Sequence, residues 1–166
     1  MIQRIQTLWL AFIILITAAT FFFPIADFSY DLKGMQMTEQ FGLLKPKIDL
    51  DNVTILGRAN AWSLIFMQLG VALIAVISIF LFKNRQLQVK LVAGGLLLTT
   101  IYVAFLLFIK IDGIEKQIFE KGGISIQIFY NKISMSFPIL QLLLFILAQR
   151  AIKKDHRLVR SSDRLR

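Results

Sequence analysis

Four polar side chains lie at matching depths within long, largely apolar stretches: Thr17, Gln68, Tyr102 and Gln141. Their chemistry is hydrogen bonding, since a hydroxyl or amide surrounded by hydrocarbon needs a partner within the protein. Counted from one end of its apolar stretch, each lies about 7 to 10 residues in, which at about 1.5 Å per residue puts all four near one level. Two readings stay open for such a layer: hydrogen bonds that hold helices together, or a polar lining for a ligand or lipid headgroup. Other chemistries are poorly supplied. The chain has no cysteine, which removes disulfides, iron–sulfur ligands and thiol nucleophiles, and its one histidine, His156, cannot build a multi-histidine metal or haem site. The acids Asp27, Asp31, Glu39, Asp49, Asp51, Asp112, Glu115 and Glu120 alternate with lysines without metal-ligand or acid–base spacing. Asp49 and Asp51, two apart on one face of a strand, are candidate cation ligands without further ligands at a recognisable spacing. No enzyme activity and no cofactor are expected.

The elements that must position the polar layer are membrane spans. Of the 166 residues, 57% are hydrophobic and 17% charged, with a mean hydropathy of +0.69, whereas soluble domains carry about 25% charged residues. Charges cut the chain into four uncharged runs, 5–26, 59–82, 91–109 and 133–149. A hydrocarbon core about 30 Å thick needs about 20 apolar helical residues, so each run predicts a transmembrane helix. The first resembles a signal peptide but is longer than one needs, which favours a retained helix. None of the runs contains Asp, Glu, Lys, Arg or His, which disfavours proton-coupled transport and redox carriage. Gly94 and Gly95 read as a point of close helix packing.

Nineteen Lys and Arg against ten Asp and Glu give a net charge of +9. The surplus is sorted. Residues 1–4, 83–90 and 150–166 hold 11 basic and 2 acidic residues, and 27–58 and 110–132 hold eight of each. Lys and Arg resist translocation, so both termini are expected in the cytoplasm and the two longer loops outside. Nucleic acid is not expected as a partner. In the loops, Phe28–Lys33 and Lys47–Asp51 alternate with the period of a strand. Residues 114–119 and 124–130 flank Glu120–Gly123 as a candidate hairpin. Pooled, these predict a small extracytoplasmic β-sheet, because an isolated hairpin is marginal in water. The fold class expected is therefore all-α membrane, a four-transmembrane-helix bundle in one domain over 1–166, with that sheet drawn from the two loops.

The segment 150–166 carries Lys153, Lys154, Arg157, Arg160 and Arg164 beside Ala151, Leu158 and Leu165, which recur every seven residues next to Ile152 and Val159. That pattern predicts an amphipathic extension of the fourth helix. Its basic residues suit anionic lipid headgroups, each contributing about 1 kcal/mol. The heptad spacing of Leu158 and Leu165 suits a helix that docks on another protein.

The two ends of the chain, Met1-Ile2-Gln3-Arg4-Ile5-Gln6-Thr7 and Leu158-Val159-Arg160-Ser161-Ser162-Asp163-Arg164-Leu165-Arg166, resemble those of a family of small integral membrane proteins of Bacteroidota known only as a domain of unknown function. The resemblance implies four helices and an inner-membrane location, and implies no activity. The layout is also similar in shape to claudin-type four-helix proteins, whose external Trp and paired cysteines are missing here. The expected role is an accessory or scaffold subunit of an envelope complex, with other membrane or envelope proteins as partners. A small transport or lipid-handling protein using the polar layer is the alternative.

Overall fold

The computed structural model describes residues 3–32, 34–44, 61–120 and 122–163. Helix α1 (Gln3–Thr20) leads into a hairpin of β1 (Ala26–Leu32) and β2 (Met35–Phe41). Helix α2 (Trp62–Phe80) turns through a short 3-10 segment into α3 (Arg85–Phe105). A π-helical stretch, Leu106–Ile111, joins α3 to α4 (Asp112–Glu120), and β3 (Gly123–Tyr130) precedes α5 (Lys132–Asp163). Three helices are long and apolar enough to cross a membrane: Trp62–Phe80, the continuous rod Arg85–Glu120, and Lys132–Asp155; the apolar part of α1, Ile5–Thr20, is shorter.

Helix α1 packs on α2 and α5, and α3 packs on the same two. The result is a square bundle in which every neighbouring pair is antiparallel. Close approach is built in at Gly95, where a Cβ would lie 2.6 Å from the Phe145 ring and 3.1 Å from Ile74 Cγ2; nothing lies within 4 Å of one at Gly94. Pro138 lies inside α5, which continues through it.

Several boundaries differ from those expected, each for a local reason. Helix α1 ends at Thr20, six residues before the uncharged run does. The last turn tightens through Phe21 N–H to the Ala18 carbonyl and Phe22 N–H to the Ala19 carbonyl, and Pro24 disfavours helix at the residue before it. Helix α3 starts at Arg85 rather than 91, because Asn84 caps it by accepting from Leu87 N–H at 3.3 Å. The rod also continues past Lys110, whose ammonium lies 5.6 Å from the centre of the Phe105 ring. Residues 112–120 form a helix, which corrects the reading of 114–119 as a strand. Ile111, Ile114 and Ile118 recur at helical spacing and are all buried, while Asp112 and Glu115 favour the start of a helix.

β3 therefore pairs with β1 instead of a hairpin neighbour. The sheet has three antiparallel strands in the order β2-β1-β3. The β1–β2 register runs from Ala26 opposite Phe41 to Leu32 opposite Met35. Gly34, with φ +83°, makes the turn possible, and its N–H donates to Asp31 Oδ1 at 2.9 Å. The β1–β3 register shifts between Ser29 and Asp31, the site of a bulge that holds Ser125 at φ +57°. The strand expected at Lys47–Asp51 lies outside the described residues.

Two apolar cores result. One joins the sheet to the bundle through Phe28, Tyr30, Phe41, Leu64, Tyr102, Leu106, Ile114 and Ile118. The other fills the opposite half of the bundle with Leu10, Ile13, Val71, Ala75, Val92, Phe145, Ala148 and Ile152.

Candidate functional site

Between the two cores lies the polar layer. Gln141 on α5 donates from Nε2 to the Thr17 hydroxyl on α1 at 2.9 Å and approaches Gln68 Oε1 on α2 at 3.4 Å. Thr17 passes its own proton to the Ile13 carbonyl at 2.7 Å, so its hydroxyl is both donor and acceptor. Tyr102 on α3 sits beside the Gln68 amide. All four side chains are buried, Gln68 and Gln141 completely. The layer thus draws one residue from each of the four long helices. Its hydrogen bonding is incomplete: Gln68 Nε2 and Gln141 Oε1 make no hydrogen bond.

At the end of the bundle away from the sheet, the start of α1, the start of α3 and the later turns of α5 come together. Gln6 Nε2 on α1 donates to the Ala151 carbonyl on α5 at 3.3 Å. Arg85 pairs with Asp155 Oδ2 at 3.0 Å and bonds the Asp155 carbonyl at the same distance. Gln88 Nε2 donates to the Ser78 carbonyl at 2.8 Å, while Gln88 Oε1 and Ser78 Oγ are buried without partners. Sequence reasoning counted Arg85 and Asp155 only as charges and passed over Gln6 and Gln88. A signal was present: Gln88, Val92, Gly95, Thr99 and Tyr102 follow one face of α3 and are all buried, so Gln88 sits at a core position.

The expected tail helix is the continuation of α5. Lys153, Lys154 and Arg157 are exposed on it. Ile152 is fully buried in the lower core and Asp155 is buried against Arg85, so the first turns of the tail belong to the bundle. The backbone at Leu158 and Arg160 is helical; Arg164 and Leu165 lie outside the described residues.

At the other end, Tyr30 on β1 donates its phenol proton to Glu39 Oε1 on β2 at 2.8 Å. Burial, reinforced by that carboxyl, raises the Tyr30 pKa well above its usual range. The outer surface of this cap carries large apolar side chains: Phe119 is 73% exposed and Ile124 is 68% exposed, on either side of the turn at Gly122. β3 is an edge strand, its far side unpaired among the described residues. Among the described residues no group of three His, Asp or Glu is placed to hold a metal ion.

No curated protein and no solved structure matches the chain. The family model described as "Domain of unknown function (DUF4293)" matches residues 2–165, nearly the whole length, and the chain belongs to that family.

Proposed function

We propose that this protein is a non-catalytic subunit of the bacterial inner membrane, an accessory or scaffold component of a larger envelope complex. Its four long helices span the bilayer with both termini in the cytoplasm, and the ends of the chain support a source in Bacteroidota. The β-cap meets partners outside, and the basic end of α5 meets anionic headgroups or a partner inside. The orientation is supported by the charge sorting, in which 11 basic and 2 acidic residues fall in the sequence segments 1–4, 83–90 and 150–166.

The observation that carries this reading is the apolar outer edge of the cap, unpaired among the described residues. Phe119 lies in the last turn of α4, a helix of nine residues that rises about 12 Å from Asp112, and Ile124 follows in β3. Large apolar side chains at the far end of the Arg85–Glu120 rod, next to a strand edge that is unpaired among the described residues, favour a surface that meets another protein. Strand addition to β3 would satisfy the edge and cover both side chains at once. The hydrogen bonds from Gln141 to Thr17 and Gln68 support a structural use of the polar layer, as helix-to-helix contacts.

A second reading, transport or lipid handling through the layer, is favoured by one observation: Gln68 Nε2 and Gln141 Oε1 are buried without partners. Copurification after mild solubilisation separates the two. Stoichiometric partner proteins support the scaffold, and a homogeneous oligomer carrying lipid or solute supports the alternative.

A further inference from the structure

At the basic end of the bundle, α1 and α2 part to leave a cleft of about 650 Å³, a size typical of small-molecule sites. Its walls are apolar: Leu8 and Ala11 from α1, Ile79 and Phe80 from α2, and Phe82 from the turn that follows. Leu8, Phe80 and Phe82 are 50%, 72% and 51% exposed, so the cleft opens sideways, onto the surface that faces acyl chains when the bundle is in a bilayer. Its floor is polar, made by Gln6, Thr7, Gln88 and Asp155. Three of these, Gln6, Gln88 and Asp155, are buried. An apolar slot that ends on a polar floor at the level of the headgroups has the form of an amphiphile.

The floor also specifies the headgroup. Gln88 is 3% exposed and held by its own amide nitrogen to the Ser78 carbonyl, which leaves its Oε1 as a buried acceptor with no donor. Such acceptors are rare in native proteins unless a water or ligand completes them. Beside it, Asp155 brings a carboxylate, one oxygen of which is held by Arg85. The Gln88 amide oxygen and the Asp155 carboxylate are both acceptors, so together they favour a headgroup that ends in an N–H donor, most strongly a charged one. We infer that this cleft binds a membrane lipid whose headgroup ends in a primary ammonium, the chemistry of a phosphoethanolamine lipid. One acyl chain lies along Leu8, Ala11, Ile79 and Phe80, and the ammonium reaches Gln88 Oε1 and Asp155. The choline analogue, with no N–H, cannot make the bond to Gln88. This site is independent of the cap and its partner.

The test is native mass spectrometry of the full chain, titrated with phosphatidylethanolamine, phosphatidylcholine and phosphatidylglycerol of identical acyl chains. Phosphatidylethanolamine is expected to bind about tenfold more tightly than phosphatidylcholine, the discrimination of one charge-assisted hydrogen bond. Gln88→Leu should erase that difference. Because Gln88 is buried, a second variant is needed that cannot disturb the core: Ala11→Phe, at an exposed position in the wall, should obstruct the path of the acyl chain and weaken the binding while the thermal midpoint is kept. Equal retention of the three lipids, a preference for phosphatidylglycerol, or unchanged binding by Ala11→Phe would each overturn the proposal.

Discussion

Gln141 Nε2 donates to Thr17 Oγ1 at 2.9 Å, tying α5 to α1 across 124 positions of sequence. Because Thr17 hands its own proton to Ile13, the bond has a single direction, with the amide as donor. Gln141→Leu removes it together with the approach to Gln68. The expected cost in detergent is about 0.6 to 2 kcal/mol, modest because the unfolded chain in a micelle also finds partners. Gln68→Leu leaves the bond to Thr17 and should cost less. Thermal unfolding of the two variants, measured side by side, checks the order.

The adjacent glycines of α3 separate packing from propensity. A Cβ at Gly95 would meet the Phe145 ring at 2.6 Å, whereas one at Gly94 meets nothing within 4 Å. Gly95→Ala should destabilise by about 1 to 3 kcal/mol through overpacking. Gly94→Ala should stabilise by about 0.4 to 1 kcal/mol, since it only restricts the unfolded chain. Opposite shifts of the unfolding midpoint are the expected outcome.

The buried phenol of the cap predicts a pH dependence with a definite sign. The Tyr30 pKa is raised from its ordinary value of 10.0, first by burial and then by Glu39. A raised pKa means that the unfolded state loses its proton first as pH increases, so the contribution is fully present below pH 10 and is lost as pH climbs above it. Unfolding of the native chain between pH 9 and 12 should show this loss. Tyr30→Phe should remove that part of the slope, and should cost about 1 to 3 kcal/mol near neutrality by leaving Glu39 Oε1 without this donor.

Much of the fold was legible because charge and periodicity act locally. The uncharged runs located the long helices, and the alternation from Phe28 onward located β1. The sorting of Arg4, Arg85 and the tail onto one side agrees with the contact between Gln6 and Ala151 and the pair of Arg85 with Asp155. What was not legible depended on tertiary partners. Residues 114–119 look strand-like until Ile114 and Ile118 are seen packed in the same core as Phe28 and Tyr30. β3 pairs with β1 from nearly a hundred residues away, a choice that no local turn dictates. Within the polar layer the depth of each residue could be counted, but the direction of each amide, and hence which atoms stay unpartnered, is set by the neighbouring helices.

Orientation has its own test, made clean because the native chain has no cysteine. Lys116 and Lys153 are both exposed, on α4 and on the basic end of α5. In intact spheroplasts an impermeant thiol reagent should label K116C and spare K153C. The reverse pattern would invert the topology and with it the assignment of the cap to the outside.

The central claim is that the outer edge of the cap is a contact surface for another protein, and quantitative copurification of the native chain against a double variant, Phe119→Ser with Ile124→Lys, tests it most directly. Both positions are exposed, so the variant should fold, insert and melt as the native chain does. The account predicts that the native chain recovers a partner in stoichiometric amount and that the variant loses it. A native chain that purifies alone, or a partner retained in full by the variant, would contradict the account.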